Sequence, residues 1–180
     1  MKRIKLRPFK ESDWQDLHEY LSNPDVVKYE PYSVHTKEES LECARDRSKS
    51  DAFYAIEEKS LGKVIGNLYM APFGPKDYKT WMIGYVLGEN YWKKGYASEA
   101  VQLLLKELFM EKNVHRVIAM CNTQNVASWK LLENNGFRRE GAFKKIAYFS
   151  KDESGQPNWH DSYMYAMLYE EWEKIDEGIK

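Results

Sequence analysis

The most regular pattern of apolar and polar positions in the chain lies in residues 80–109. Residues 80–87, TWMIGYVL, are almost all β-favouring and predict a strand. Apolar residues then recur at spacings of three and four, with polar residues between them, at Val101, Leu104, Leu105, Leu108 and Phe109. This spacing predicts an amphipathic helix. The sequence YWKKGYASEA therefore joins a strand to a helix through a turn.

Other apolar runs predict the remaining strands and hence the class of fold. Short runs rich in β-favouring residues occur at residues 4–6, 53–57, 63–70, 116–120, 137–149 and 162–168. Turn-forming residues at 150–158 indicate a loop between the last two strands. Early strands in series and one β-α-β crossover in the middle predict an α/β fold with a mixed sheet.

Capping residues mark where the other helices begin and end. Ser12 with Gln15, and Thr36 with Glu39, have the spacing of capping boxes, and the second helix is expected to run to about residue 49. A further helix is predicted over 125–135, ended by Gly136. The charged tail after residue 170 predicts a short surface helix, and residues 23–35 are expected to form a loop between the first two helices.

The turn in residues 91–100 is suited to an anion. Gly95 and the small Ala97 let the backbone come close to a ligand, and the first N–H groups of the next helix point at it. The helix dipole favours negative charge there, typically phosphate, and Lys93 and Lys94 add positive charge. A plain strand-to-helix connection is the alternative.

A second polar pair lies on the predicted helix at 125–135. Asn125 is a candidate N-cap and Ser128 lies one turn further on, so both polar groups face the same way. This arrangement is compatible with a cleft mouth that has Asn125 and Ser128 at its edge, although the helix taken alone favours the simpler reading. The alternative is that both residues serve only to cap the helix.

Composition narrows the setting. The 180 residues fit one domain, 1–180, and 27 basic against 28 acidic residues give no electrostatic drive toward nucleic acid or membrane. No apolar segment approaches the length of a signal peptide or a membrane span, so we expect a cytoplasmic protein. The two cysteines, Cys43 and Cys121, lack the spacing of a metal site and are expected to be reduced. No metal site is predicted.

The two polar constellations together resemble the GNAT superfamily of acetyl-CoA-dependent N-acetyltransferases. The strings IGYVLGENYWKKGYASEA and NVASWKLLENNGF occur in the family's order, and the resemblance covers most of the chain. They look most like the subgroup that acetylates the N-terminal amines of ribosomal proteins. Gly95 and Ala97 match the last two fixed positions of the family's pyrophosphate turn, whereas Trp92 stands where Gln or Arg is usual.

The resemblance implies a GNAT fold and a set of cofactor contacts. That fold has one mixed, mostly antiparallel sheet with a splayed parallel strand pair and helices on both faces. Acetyl-CoA is the implied co-substrate, with its pantetheine arm along the strand and its pyrophosphate on the turn. The implied cofactor-binding residues are Tyr85, Val86, Leu87, Trp92, Lys93, Lys94, Gly95, Tyr96, Ala97, Ser98, Asn125 and Ser128.

The chain departs from the family at both proton-transfer positions. Some relatives have a tyrosine acid where this chain has Leu132, and a glutamate base where it has Met120. Ser128 is the remaining candidate donor to the sulfur and is therefore the predicted catalytic residue, with a purely positional role as the alternative. A chain without an obvious base favours an α-amine acceptor, since its pKa lies about 2.5 units below that of lysine, which corresponds to about 3.4 kcal/mol.

The acceptor and the base stay open at this level. Tyr29, Glu30 and Tyr32 are expected to bind the amine, with an ordinary surface loop as the alternative. The candidate bases are Glu30, His35, His160 and Asp161, although His160 and Asp161 are adjacent on a predicted strand and favour a structural role. Besides a protein N-terminus, the acceptor candidates are polyamines and aminoglycosides. A non-catalytic acetyl-CoA sensor is the alternative from another class, and a monomer or a homodimer is expected.

Overall fold

A computed structural model describes residues 2–178 and contains a seven-stranded mixed sheet. Its strand order is β1-β2-β3-β4-β5-β7-β6. The strands are β1 (Ile4–Pro8), β2 (Phe53–Glu58), β3 (Lys63–Pro72), β4 (Thr80–Leu87), β5 (Arg116–Asn122), β6 (Arg138–Lys151) and β7 (Pro157–Leu168). The predicted mixed sheet is confirmed.

The helices complete the secondary structure. They are α1 (Trp14–Leu21), α2 (Pro24–Val27), α3 (Lys37–Ser48), α4 (Tyr96–Lys106), α5 (Val126–Asn134) and α6 (Tyr169–Asp176). The chain forms two compact units. Unit 1 comprises the residues up to Ala71 together with Gly84–Leu104, and unit 2 comprises Pro72–Ile83 and the residues from Leu105 onward. The single domain over 1–180 stays a prediction, and residues 1, 179 and 180 lie outside the described part.

Unit 1 is built on three antiparallel strands. β1 pairs with β2, and β2 pairs with β3 through a register shift between Ile56 and Glu57. Its core is an apolar cluster to which α1, α2, β2, β3, β4 and Phe9 contribute. The buried members are Phe9, Leu17, Tyr20, Leu21, Val26, Val27, Ala55, Val64 and Val86. Burial of these side chains is the main favourable contribution to the stability of this unit.

The first capping box is not where the sequence predicts it. A turn of 3-10 helix over Glu11–Asp13 precedes α1, so the helical segment does not begin at Ser12 with Gln15 as its partner. The Asp13 carboxylate accepts a hydrogen bond from the Lys10 N–H at 2.8 Å and a two-point contact from the Arg7 guanidinium at 2.7 and 2.9 Å. The prediction was wrong because Asp13, which caps the Lys10 N–H and pairs with Arg7, and not Ser12, fixes the helix start.

The second capping box is confirmed. The Thr36 N–H donates to Glu39 Oε2 at 2.7 Å, and the Glu39 N–H donates to Thr36 Oγ1 at 3.2 Å. The predicted loop over 23–35 contains a helical turn that the sequence analysis missed. Asn23 caps this turn, α2, by accepting from the Asp25 N–H at 2.9 Å, and Pro24 occupies the first helical position.

Unit 2 contains the parallel strand pair. Four residues of β4 pair with β5, from Thr80↔Arg116 to Ile83↔Ala119. β4 continues beyond this ladder to Leu87, and β5 continues to Asn122. The limited pairing agrees with the expected splayed pair.

The two last strands form a longer hairpin than predicted. β6 reaches Lys151 and β7 begins at Pro157, so the loop expected over 150–158 is reduced to residues 152–156. A compact turn makes this possible, because Asp152 Oδ1 accepts the N–H groups of Ser154 and Gln156, each at 2.9 Å. Side-chain capping of this kind stabilises tight turns.

Helix ends in unit 2 follow the sequence closely, with one exception. α5 ends at Asn134, and Gly136 after it has a φ of 86°, as expected for a C′ glycine. A π-helical turn over Glu107–Glu111, which the sequence analysis missed, extends α4. The Lys112 N–H there donates to the Glu107 carbonyl five residues back.

Candidate active site

The turn before α4 has the geometry of an anion cradle. Lys93 and Gly95 both have left-handed backbones, with φ of 58° and 82°. The helix begins at once, since the Glu99 N–H donates to the Gly95 carbonyl at 3.1 Å. The Lys94 ammonium donates to the Asn90 carbonyl at 2.8 Å and thereby holds the turn. Successive N–H groups in such a turn, together with a helix N-terminus, favour a bound anion.

Arg3 adds a positive charge to this turn. Its guanidinium donates to the Lys94 carbonyl at 2.9 Å and lies over the Tyr96 ring, 4.2 Å from the centroid. Its Nε pairs with Glu99 at 3.1 Å, and a Cβ added to Gly95 would come within 3.3 Å of Arg3 Nη2. We call residues 91–98 together with Arg3 the 91–98 turn. The sequence analysis missed Arg3, since only the basic N-terminal segment hinted at it.

The end of β4 directs its backbone groups to two different edges. The Gly88 N–H donates to the Ile65 carbonyl at 2.9 Å, and a Cβ on Gly66 would lie 2.3 Å from the Val86 carbonyl oxygen. Val86 and Gly88 thus face β3, which only a glycine at position 66 permits. Because successive residues of a strand alternate, Tyr85 and Leu87 direct their backbone groups to the opposite edge.

Trp92 interacts with the same strand end. Its indole Nε1–H donates to the Leu87 carbonyl at 2.6 Å. The ring is 37% exposed, so one part of it stays in contact with solvent. The tryptophan at the unusual first position of the turn therefore fixes the path of the chain from β4 into the turn. Its indole N–H is occupied by Leu87.

The three predicted acceptor residues lie in unit 1. Tyr32 packs against the apolar cluster that includes Val86, and Lys28 Nζ lies 5.4 Å from the centroid of the Tyr29 ring. Glu30 is half-buried, and burial raises the pKa of its carboxyl to about 7. A hydrogen bond with Tyr32 and the positive charge of Arg47 oppose that rise. We call Glu30, Tyr32 and Arg47 the Glu30 cluster.

Arg47 anchors this cluster in the core. The side chain is only 6% exposed, its Nη1 donates to Asn67 Oδ1 at 2.9 Å, and its guanidinium lies 4.5 Å from the centroid of the Phe53 ring. The Tyr20 hydroxyl donates to the same Asn67 oxygen at 3.1 Å. A buried arginine requires such partners, because an uncompensated charge in the interior is costly. Arg47 was not among the predicted site residues, because it lies in the last turn of α3 among other charged residues.

His35 lies beside this cluster. Its ring centroid is 5.5 Å from that of Tyr32, and its Nδ1 is buried with no hydrogen-bond partner among residues 2–178. Burial lowers the pKa of the imidazole, so the ring is neutral near pH 7.

Asn125 and Ser128 belong to unit 2. The Asn125 side chain caps α5 by accepting from the Ser128 N–H at 3.1 Å, as the sequence predicts. The Ser128 hydroxyl forms a hydrogen bond with the Cys121 thiol, whose pKa burial raises to about 11 against the opposing effect of Ser128. The N–H of Ser128 therefore stabilises the start of α5, whereas its hydroxyl takes no part in that cap.

The two family positions for proton transfer hold apolar side chains with different surroundings. Leu132 is fully buried, whereas Met120 is 39% exposed. Of the later candidates, Asp161 accepts from Lys144 Nζ at 2.8 Å and from the Lys145 N–H at 2.9 Å, and these bonds hold its pKa below the usual value. His160 packs against the Phe149 ring at 4.5 Å between centroids. These contacts favour a structural role for the pair.

Two general features of the chain bear on its chemistry. Across residues 2–178, every helix is too short or too polar to cross a bilayer. In the same range, no three His, Cys, Asp or Glu side chains are grouped so as to hold a metal ion.

Comparisons with known proteins agree with the fold and the turn. An acetyltransferase (GNAT) domain matches residues 3–138. The chain is 38% identical over 176 residues to an uncharacterized N-acetyltransferase of Bacillus subtilis, YnaD. The aligned region covers 95% of this chain and 96% of YnaD. A GNAT-family acetyltransferase structure from Bacillus anthracis superposes with a TM-score of 0.84 at 34% identity, over 93% of this chain and 96% of the other.

A more distant relative has a named acceptor. A ribosomal-protein-serine acetyltransferase of Escherichia coli is 26% identical over 134 residues, which cover 74% of this chain and 72% of that protein. Enzymes with this domain use acetyl-CoA. The strand order, the left-handed turn before α4 and the domain match agree, and the chain therefore belongs to the GNAT family of acetyltransferases.

Proposed function

We propose that this enzyme transfers the acetyl group of acetyl-CoA to a primary amine, and that the amine is the N-terminal α-amine of a protein. The observation that carries the cofactor assignment is the 91–98 turn, in which two left-handed residues and Arg3 converge at the start of α4. These groups fit a pyrophosphate, since backbone N–H groups and a guanidinium are donors for its oxygens. When bound, acetyl-CoA supplies the activated acetyl group.

The strand end has a matching role in the proposal. The Leu87 carbonyl already accepts from Trp92. We assign the backbone of Tyr85 and the N–H of Leu87 to the pantetheine arm, because main-chain groups at a strand edge recognise an extended amide chain. Val86 supports them through its close approach to Gly66. Asn125 and Ser128 are assigned to the cofactor arm and its sulfur, with Ser128 as the proton donor to the departing thiolate.

The α-amine is preferred as the acceptor for an energetic reason. At pH 7 about one in ten α-amines is neutral, compared with less than about one in a thousand lysine-like amines. Met120 and Leu132 supply no acid or base at the two family positions. The relationship to a ribosomal-protein-serine acetyltransferase supports the same choice.

The test is an acceptor panel with a chemical readout. The purified enzyme is incubated with acetyl-CoA and N-terminal peptides, polyamines or aminoglycosides, while release of free CoA thiol is followed and mass spectrometry locates the acetyl group. We expect acetylation at the α-amine of peptides, and a peptide with a blocked N-terminus and a free lysine serves as control. Turnover confined to polyamines or aminoglycosides would show that the acceptor is a small-molecule amine and not a protein α-amine. No thiol release across the panel would favour a non-catalytic sensor.

A further inference from the structure

Glu30 lies where the chain leaves α2, in a position fixed by backbone and side-chain contacts. Its N–H donates to the Val27 carbonyl at 2.9 Å, which closes the last turn of the helical segment. The side chain is half-buried and hydrogen-bonds Tyr32, while Arg47 of α3 acts on it electrostatically. A glutamate placed only for solubility would be fully exposed, since carboxylates are rarely buried without a partner.

The Glu30 cluster belongs to the same packed region as the strand end assigned to the cofactor. Tyr32 packs on the apolar cluster of unit 1, and Val86 is a buried member of that cluster. The residues on either side of Val86 are the ones proposed to hold the acetyl-bearing arm. Buried side chains of one cluster keep fixed positions relative to one another, because protein interiors are closely packed. Tyr32, the hydrogen-bond partner of Glu30, therefore packs on the same apolar cluster to which this strand contributes Val86.

We propose that the Glu30 carboxylate is the general base of the transfer, an inference that rests on the proposed function. As the amine nitrogen forms its bond to the acetyl carbon, one N–H proton passes to a Glu30 oxygen. The carbon–sulfur bond breaks, and the CoA thiolate takes a proton that solvent supplies through the Ser128 hydroxyl. Glu30 then releases its own proton to solvent, so both groups return to their starting state. Tyr32 and Arg47 are positioning residues, because they hold the carboxylate without touching the reacting atoms.

The ionisation of Glu30 suits this role. Burial raises its pKa to about 7, and Tyr32 and Arg47 limit the rise. A general base works best when its pKa lies near the operating pH. Such a base lies about 1 pKa unit below an α-amine but more than 3 units below a lysine-like amine. The base and the proposed acceptor are therefore matched to each other.

The first test is Glu30→Gln, with the exposed Glu42→Gln of α3 as the matched control. At saturating peptide, we expect Glu30→Gln to lower kcat by about 100-fold, the lower end of the effect of a general base. CoA affinity, measured by calorimetry, should change by less than about twofold, since Glu30 is not assigned to the cofactor. Glu30→Asp should recover part of the lost kcat because it keeps a carboxylate. Glu42→Gln should behave as the wild type.

The second test uses the pH profile. In the wild type, kcat should rise with pH through an apparent pKa near 7, the value at which Glu30 ionises. Tyr32→Phe removes a hydrogen bond that favours the carboxylate, so this limb should move to higher pH while the ring and its packing are kept. Glu30→Gln should remove the limb altogether.

Three results would overturn the assignment and leave the proposed function standing. They are an unchanged kcat in Glu30→Gln, a rise in KM for the peptide with kcat retained, and a limb near pH 7 that persists in Glu30→Gln. The second would reduce Glu30 to an amine-binding group. Absence of wild-type turnover with every acceptor would count against the proposed function itself. Far-UV circular dichroism and CoA binding confirm that each variant is folded.

Discussion

The 91–98 turn and the Glu30 cluster, both in unit 1, handle charge in opposite ways. The turn is exposed and gathers positive character from backbone N–H groups, two lysines and the half-exposed Arg3. The cluster is largely withdrawn from water, and its carboxyl carries a pKa of about 7 instead of the ordinary value of 4.5. Permanent charge suits binding of an anion that stays ionised, whereas an adjustable charge suits proton transfer.

The difference implies that the two regions fail in different ways when they are altered. Changes in the turn should weaken cofactor binding and leave the chemistry of the bound complex intact. Changes in the cluster should alter rate and pH dependence and leave cofactor binding intact.

The largest effect is expected from Gly95→Glu. The new side chain adds a negative charge at the anion cradle, meets Arg3 and strains a backbone whose φ is 82°. We expect CoA affinity to fall by about 100-fold or more, equivalent to about 2.7 kcal/mol. Isothermal titration calorimetry with CoA measures it.

Gly155→Glu is the matched control for backbone strain. Gly155 has a φ of 81°, and a Cβ there would meet no atom within 4 Å. Both variants should lose similar stability, since both force a side chain into the left-handed region, but Gly155→Glu should bind CoA like the wild type. Equal CoA affinities in the two variants would contradict the assignment of the turn.

A smaller effect is expected from Ser128→Ala. Its backbone N–H, not its hydroxyl, completes the cap with Asn125, so the substitution keeps the helix start and removes only the hydroxyl. We expect kcat to fall by about 10-fold, somewhat less than a typical acid–base group because a thiolate leaves readily, with CoA affinity retained. An unchanged kcat in steady-state assays would show that Ser128 does not protonate the CoA thiolate, and solvent would then supply that proton directly.

A smaller effect again is expected from Arg3→Ala, which tests whether Arg3 contributes to CoA binding at the turn. A half-exposed guanidinium at a phosphate contributes about 1 kcal/mol, so we expect CoA to bind about fivefold more weakly, with the difference shrinking at high salt. Arg45→Ala is the control, since Arg45 is a similarly exposed arginine in an ion pair with Glu11. Dephospho-CoA should show the same loss if Arg3 contacts the pyrophosphate. A loss seen only with CoA would assign Arg3 to the 3′-phosphate.

The sequence reveals the turn far better than it reveals the cluster, for a physical reason. Gly95, Ala97 and the following helix are contiguous, so local rules on glycine and helix termini apply directly. Arg3 reaches the turn from 91 residues away, through the hydrogen bond from its guanidinium to the Lys94 carbonyl. Arg47 reaches Asn67 across 20 residues, and its burial has no local signature.

The two capping predictions differ in outcome because a neighbouring side chain competes for one of the two helix starts. Thr36 with Glu39 is a local interaction and forms as predicted, at 2.7 and 3.2 Å. Ser12 with Gln15 has the same spacing, but Arg7 holds Asp13 and the helical segment begins elsewhere. Glu30 shows the intermediate case. Its position in a connecting segment suggested an acceptor role, whereas its ionisation depends on burial that no local pattern reveals.

The smallest expected effect is a pH-dependent gain of stability in Glu30→Gln. Because folding raises the pKa of Glu30 from 4.5 to about 7, the protonated carboxyl favours the folded state. This stability is fully present below about pH 4.5 and is lost as pH rises through 7. Glutamine does not ionise, so the variant should exceed the wild type by about 1 kcal/mol at pH 8, or about 3 °C in Tm, with little difference at pH 4.5.

Thermal unfolding at the two pH values, with Glu42→Gln as the control, measures this difference. A gain of equal size at both pH values would mean that Glu30 is not held with a raised pKa, and the contrast between the turn and the cluster would lose its basis. A gain confined to high pH, together with a loss of kcat, would identify a position where the enzyme gives up stability to keep an ionisable group near the reaction. Such trade-offs are expected where catalysis requires a charge that folding alone would remove.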